Sequence, residues 1–341
     1  MSKIMLVGDS HWGISNNNQR MVQQSITIWN YILDLAKDYK CDAIIEAGDF
    51  LDKRKEIDAQ LLDTIRANLI DKLEIPLYMI VGNHNLYYKD SSIVNNISIF
   101  KSLSNYCHVV DKPTSVYGID IIPWVTKDNV ETITTYIKNS YNKYCVGHWE
   151  LNGFQFDKSR ISDVKEIISK SLLNKYIKVF SGHYHIRSEK DNVLYIGTPY
   201  QLTWIDVDVE KYVYILDTES GDLVELITPF ELYKQFSINE NNWKEYCNDQ
   251  LKDKLVKIFY EESFDKKLFN DVQTQFIQVN PNIQFIKKPS KEKKQKQIVI
   301  DETQSLLDSV LDYVKNTQQT DSDKIEMLLK KVYNIVNTTQ N

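Results

Sequence analysis

Lys3-Ile4-Met5-Leu6-Val7-Gly8-Asp9-Ser10-His11 begins with a short apolar run, turns at a glycine, and then presents Asp9 and His11. The same construction recurs four times. Ala43-Ile44-Ile45-Glu46-Ala47 leads to Gly48-Asp49, and Leu77-Tyr78-Met79-Ile80-Val81 leads to Gly82-Asn83-His84. Tyr144-Cys145-Val146 leads to Gly147-His148, and Ile177-Lys178-Val179-Phe180 leads through Ser181 to Gly182-His183-Tyr184-His185. Five of the six histidines in the chain sit in this series, and a glycine opens each motif although there are only ten. Aspartate, asparagine and histidine supply oxygen and nitrogen ligands to divalent metals. Seven such residues following predicted strands point to a two-metal hydrolase.

The intervening segments carry helical spacing, with Ile28, Ile32 and Leu35 in one and Leu61, Ile65 and Leu69 in the next. Strands alternating with helices predict an α/β domain over residues 1–230, with central sheets and helices outside. Open α/β sheets place their sites at the carboxyl ends of strands, where these ligands fall. Tyr195 to Pro199 and Val213 to Asp217 read as further strands, the second leading to a turn at Gly221.

After Pro229 the texture changes. Residues 231–286 predict a small second domain, with strands at Leu255 to Tyr260 and Ile283 to Ile286 around a helix at Lys266 to Val272. Residues 287–300 read as a lysine-rich linker, containing the run KKPSKEKKQKQ from Lys287 to Gln297. Residues 301–341 carry two amphipathic stripes, Leu306 to Val314 and Ile325 to Val336, suited to docking on a partner.

A chain of 341 residues, 42% hydrophobic, has ample material for a core, and its formal charge of -6 is not the signature of a general nucleic-acid binder. Cys41, Cys107, Cys145 and Cys247 lack zinc-knuckle or disulfide spacing. No apolar run reaches membrane-spanning length, and Lys3–Val7 passes straight into a site motif, so a cytoplasmic protein is expected.

A single Gly-Asp or a lone histidine says little; the ordered set says much. A mixed His/Asp/Asn set without thiolates suits Mn(II), Fe(II) or Zn(II), with Mg(II) less favoured. The series Asp9-x-His11, Gly48-Asp49, Gly82-Asn83-His84, His148 and Gly182-His183-x-His185 resembles the calcineurin-like metallophosphoesterase superfamily over roughly residues 3–200. That resemblance implies a four-layer α/β/β/α sandwich. It implies that Asp9, His11, Asp49 and His185 hold one ion and Asp49, Asn83, His148 and His183 the other, with Asp49 bridging. His84 would then act on the substrate phosphate and leaving oxygen. The implied chemistry is in-line attack on a phosphodiester by water activated between the ions.

Further segments narrow the resemblance: Gly48-Asp49-Phe50-Leu51-Asp52, Asp111-Lys112-Pro113-Thr114, Ile122-Pro123-Trp124, Val146-Gly147-His148-Trp149-Glu150-Leu151-Asn152-Gly153 and Tyr195-Ile196-Gly197-Thr198-Pro199. Together they are similar to the nuclease subunit of SbcCD-type double-strand-break repair complexes, in its tailed-phage recombination form. This implies a Mn(II)-dependent DNA nuclease, exonucleolytic on duplex ends and endonucleolytic on single strands or hairpins. It also implies a capping domain at 231–286, C-terminal helices docking on an SbcC-type ABC ATPase, and a homodimer within a heterotetramer serving recombination, repair and replication. Residues 58–71 are a candidate dimer surface.

Two positions depart from the usual pattern. Asn85 follows the Gly-Asn-His motif where the family usually has aspartate, and Asp52 stands where some cellular members have histidine. In related phosphatases an aspartate there pairs with the Gly-Asn-His histidine, so an Asp52–His84 pair is expected. The superfamily motifs alone would also fit a metal-dependent phosphatase or cyclic-nucleotide phosphodiesterase. Asn85 leaves room for a DNA-end-binding scaffold with weak catalysis. Lys53, Arg54 and Lys55 are candidates to meet phosphates or to line a solvated loop, and Trp149 and Tyr184 to stack on a base or to pack.

Overall fold

In the strand Lys3–Val7, Ile4 and Leu6 face one way and Met5 and Val7 the other, and all four are fully buried. A strand with two apolar faces must lie between two layers. A computed structural model describes residues 2–155, 160–164 and 166–288, and both layers are present in it.

Two six-stranded sheets are stacked face to face. The first runs in the order Leu223–Ile227, Tyr212–Asp217, Lys3–Val7, Ala43–Glu46, Leu77–Ile80, Cys107–Val110, its last four strands parallel. The second runs Ser188–Lys190, Val193–Tyr195, Lys178–Gly182, Tyr144–His148, Ile119–Ile122, Thr114–Val116, with its middle four parallel. Ile4, Leu6, Ile45 and Ile80 from the first sheet meet Ile121, Val146, Phe180 and Leu194 from the second in one core. Met5, Val7 and Ile44 turn outward to Ile28, Trp29, Ile32, Leu61 and Ile65 on the helices. On the other outer face Ile122, Cys145 and Val179 meet Ile133 and Ile137 of the helix Val130–Asn139. The architecture is the expected four-layer α/β/β/α sandwich.

The helices start where their caps dictate. Asn18 Oδ1 accepts the Arg20 amide at 3.0 Å to open Gln19–Asp38, and Asp58 Oδ1 accepts that of Leu61 at 2.9 Å to open Ala59–Asn68. Within Gln19–Asp38, Met21, Ser25, Ile28, Trp29, Ile32 and Ala36 make the buried stripe at helical spacing.

Among the described residues, those up to Phe259 together with Asp265–Ile286 form one compact unit. A three-stranded sheet, Tyr233–Ser237, Leu255–Tyr260 and Ile283–Lys287, follows the sandwich, with its helix at Lys266–Val279. The helix is longer than the sequence suggested: Val272 and Phe276 keep its stripe buried for a further turn. The last strand takes in Lys287, the first residue of the expected linker. Gln201 Oε1 accepts the amides of Leu232 and Tyr233 at 2.9 and 2.8 Å, tying the first of these strands to the loop after Tyr200. The linker beyond Lys288 and the amphipathic tail at 301–341 lie outside the described residues. Among the described residues no helix is long and apolar enough to cross a membrane.

Candidate metal centre

The parallel register of both sheets brings the carboxyl ends of Lys3–Val7, Ala43–Glu46 and Leu77–Ile80 to the same edge as those of Tyr144–His148 and Lys178–Gly182. All seven predicted ligands emerge there. Ligand atoms of Asp9, His11 and His185 lie within 4.8 Å of one another, and so do those of Asp49, His148 and His183. Asn83 Oδ1 joins the second group, 2.9 Å from His148 Nε2 and 3.0 Å from His183 Nδ1. Asp49 stands between the groups, its Oδ2 3.2 Å from His148 Nε2 and 4.0 Å from His11 Nε2.

The glycines were expected both to turn the chain and to let it approach the ions closely. Among Gly8, Gly48, Gly82, Gly147 and Gly182 only Gly48 has positive φ, at 110°. The shared requirement is close approach. A Cβ on Gly48 would lie 2.2 Å from His148 Nδ1, one on Gly82 2.3 Å from Asp49 Oδ1, and one on Gly182 2.3 Å from Asp9 Oδ1. Each of these loops leaves space for a ligand from another loop. Asp49 and His11 themselves take positive φ, 57° and 43°, a conformation rare outside glycine and concentrated at functional sites.

The cluster is built for cations. Asp9, Glu46 and Asp49 are 1%, 0% and 2% exposed, and so many buried carboxylates need positive charge nearby. Burial raises the Asp9 carboxyl above its usual range. Burial opposes charge on Asp49 too, but His148 and the neighbouring histidines outweigh it and hold the carboxyl far below its usual range. His148 shows the reciprocal effect, pushed up to about 9 against burial by Asp49 and Asp9. Two of the predicted ligand histidines have a fixed tautomer. His148 Nδ1 lies 2.8 Å from the Ala47 carbonyl, which can only accept, so Nδ1 carries the proton and Nε2 is left for the centre. His11 Nδ1 is anchored on Asp52 Oδ1 at 3.2 Å, and its Nε2 is buried with no hydrogen-bond partner among the described residues. Anchored Nδ1 and a free, buried Nε2 is the arrangement of a metal-ligating histidine. The donor set therefore fits divalent ions.

The expected Asp52–His84 pair takes a different form. His84 Nδ1 donates to the backbone carbonyl of Asp52 at 2.8 Å, while the Asp52 carboxylate lies on His11. The cause is local pairing: the amides of His11 and Trp12 donate to Asp49 and Phe50, and that of Asp52 donates back to Trp12. This zips 49–52 alongside 11–12, setting the Asp52 side chain over His11 and its carbonyl toward His84. The His84 amide in turn donates to Asp49 Oδ1 at 2.7 Å.

Asn85 is fully buried and serves as an acceptor. Its Oδ1 accepts the amides of Asp49 at 3.1 Å and Gly82 at 3.0 Å, two bonds that a carboxylate would also make. Its Nδ2 donates to Asn96 Oδ1 at 3.3 Å, which a carboxylate could not do. The departure at this position thus preserves support for the Asp49 backbone. Asn85→Leu is expected to destabilise the fold by about 1–3 kcal/mol for each amide left unpaired, whereas Asn85→Asp should lose less; urea unfolding of the metal-free chain compares them.

Trp149 and Tyr184 pack. Both are buried; Tyr184 stacks on Tyr195 at 4.5 Å, and Trp149 fills the space a side chain at Gly147 would need. Three residues were missed as parts of the site. Glu46 accepts the amides of Ser10 and Gly48 at 3.3 and 3.2 Å, joining two ligand loops. Trp124 lies 5.0 Å from the His183 ring, and Glu150 Oε1 lies 3.6 Å from His183 Nε2. An acid inside an apolar strand was the available signal for Glu46.

Lys211 was also missed. It is buried, and its Nζ donates to the His185 carbonyl at 2.9 Å, Thr198 Oγ1 at 2.8 Å and Asp206 Oδ1 at 2.5 Å. The expected strand Tyr195 to Pro199 stops at Tyr195, because Gly197 takes φ 71° and the following loop wraps His185. Lys211 holds that loop. Lys211→Met should lower stability by about 3–5 kcal/mol, since Asp206 would keep a buried, unpaired charge. Thermal denaturation measures the loss, and adding Asp206→Asn should recover part of it.

Comparison with known proteins agrees with this geometry. The chain is 36% identical over 224 residues to exonuclease subunit 1 of enterobacteria phage T4, a match covering 64% of this chain and 65% of that one. It therefore spans just under two thirds of that relative's length. It is 22% identical over 283 residues to the SbcD component of the SbcCD nuclease of Staphylococcus saprophyticus subsp. saprophyticus, covering 73% of this chain and 74% of the relative. A third similarity, 28% over 129 residues, is to the DNA double-strand break repair protein Mre11 of Methanosarcina acetivorans, covering 36% of this chain and 20% of that one. The profile of the family described as calcineurin-like phosphoesterase matches residues 2–192, more than half of the chain and every strand that delivers a ligand. On that match, carried by the same loops that converge at the sheet edge, the chain belongs to the calcineurin-like phosphoesterase family.

Proposed function

We propose that this protein is a two-metal DNA nuclease, the nuclease subunit of a recombination and repair complex driven by an ABC-type ATPase. The observation that carries the reading is the pair of ligand groups meeting at Asp49, with His84 beside them. The names of the relatives supply the substrate class. Asp9, His11, Asp49 and His185 would hold one ion, and Asp49, Asn83, His148 and His183 the other. The set suits Mn(II), Fe(II) or Zn(II), and the resemblance to SbcCD-type nucleases favours Mn(II) among them. Bound ions supply Lewis-acid charge and an activated water at neutral pH.

The chain's own residues do the rest. Asp49, held by Asn85 from behind, fixes the spacing of the two groups. The Asp52 carbonyl fixes the proton of His84 on Nδ1. This turns Nε2 to the substrate, where in its protonated form it can donate to a phosphate oxygen or give its proton to the leaving oxygen. The C-terminal helices at 301–341 would carry the ATPase contact, residues 231–286 would cap the DNA side, and the chain would work as a homodimer.

The test is cleavage of end-labelled duplex and single-stranded DNA by the purified chain in Mn(II), in Mg(II) and in EDTA. Shortening of the strand in Mn(II), lost in EDTA, is expected. Hydrolysis of a small phosphoester with intact DNA would turn the reading to a phosphatase. A chain that loads Mn(II) and cleaves neither would turn it to a DNA-end scaffold.

A further inference from the structure

The two loops that carry Asp49 and His84 continue past the metal centre and meet again outside it. The first brings Lys55, three residues after Asp52; the second brings the hairpin Leu86–Tyr88 with Ser91–Asn95, beginning two residues after His84. Lys55 Nζ stands 5.3 Å from the centre of the Tyr87 ring, and the Tyr87 and Tyr88 rings pack edge to face at 4.8 Å. Leu86 is buried and anchors the hairpin, while Tyr87 is 38% and Tyr88 57% exposed.

Two adjacent tyrosines kept in water contribute little to the hairpin's own stability. Isolated exposed aromatics need no explanation, but this pair has a cation over one ring and Lys53, Arg54 and Lys89 close in sequence. Acids are present as well: Glu56 follows Lys55, and Asp90 lies 3.8 Å from Lys127. The basic groups nevertheless cluster on the two loops that flank His84. Aromatic rings interleaved with cations match single-stranded nucleic acid, whose bases offer free faces and whose phosphates offer charge. A duplex presents mainly its backbone and covers its base faces. Tyr87 and Tyr88 follow His84 by only three and four residues, which keeps them beside the centre, where bases flanking the reacting phosphate would lie.

We propose that Tyr87 and Tyr88, with Lys55, form a stacking platform for the bases of single-stranded DNA beside the metal centre. The proposal rests on the nuclease reading above and adds to it a strand preference built into the hairpin. Lys55 has two tasks there: it meets a phosphate and holds the Tyr87 ring in place from its face.

The experiment is fluorescence anisotropy with the full chain in EDTA, using a labelled oligothymidylate of about 20 nucleotides and a blunt duplex of equal length. Tyr88→Ala should weaken binding of the single strand by about 5- to 150-fold, corresponding to about 1–3 kcal/mol per stacked base, and change duplex binding less than about twofold. Tyr88→Phe should restore most of the affinity. A 2-aminopurine base in the strand should be quenched by the wild type and not by Tyr88→Ala. Tyr141→Ala, at a fully exposed residue before the opposite end of the strand Tyr144–His148, should bind like the wild type. Three outcomes overturn the proposal: unchanged single-strand affinity in Tyr88→Ala, equal losses for strand and duplex, or conversion of a dimer to monomer by Tyr88→Ala in sedimentation. The last would assign the hairpin to a second copy of the chain. Cleavage of the same strand by the wild type in Mn(II), run alongside, tests the nuclease reading separately.

Discussion

Asp49→Asn is expected to reduce DNA cleavage by more than about 10³-fold and to lower the binding stoichiometry from two Mn(II) per chain to at most one. The substitution isolates charge. Asparagine tolerates the left-handed φ of 57° at this position, so the turn survives. Its Oδ1 can still accept the His84 amide, which lies 2.7 Å from Asp49 Oδ1. What disappears is the carboxylate between His148 and His11, at 3.2 and 4.0 Å. Without it each ligand group loses negative charge at once, and the two ions would repel across a neutral amide. Manganese titration followed by electron paramagnetic resonance reads the stoichiometry directly. Full loading of two ions in Asp49→Asn would show that Asp49 does not bridge.

His84→Ser should behave differently, and the contrast is informative. Here kcat is expected to fall by about 10²- to 10⁴-fold while both Mn(II) ions remain bound. The backbone amide of residue 84 keeps its bond to Asp49, so the ligand loops have no reason to move. The serine cannot reach as His84 Nε2 does, and the Asp52 carbonyl loses its imidazole donor. A fall in kcat with KM little changed marks a group acting on the reacting atoms. If His84→Ser lost metal as Asp49→Asn does, His84 would belong to the ligand set instead.

Much of this was legible in the chain because the ligand loops are short and each follows a strand directly. The unbroken apolar run Ile4–Val7 marked a strand buried on both faces, and five glycine-led motifs, each after such a strand, marked a common edge. The Asp52–His84 contact was partly legible: the neighbours were right and the atoms were wrong. Which atom of Asp52 faces His84 depends on pairing between 49–52 and 11–12, about forty residues apart in the chain, and no local pattern encodes it.

Sequence alone determined an α/β domain with helices outside its sheets and an ordered series of metal-binding residue types, since periodicity and residue chemistry are local properties; the α/β/β/α layering and the assignment of seven ligands were what the family resemblance implied. Tertiary structure decided what each motif's neighbours do. At Gly48, Gly82 and Gly182 it gave the close approach its reason, which is space for a ligand from another loop. It made Asn85 an adequate substitute for an acid, because two backbone amides meet its oxygen. It recruited Glu46 and Lys211, polar residues in apolar surroundings whose partners lie far away along the chain. A buried polar group is defined by what it touches, and that is settled only when distant segments pack.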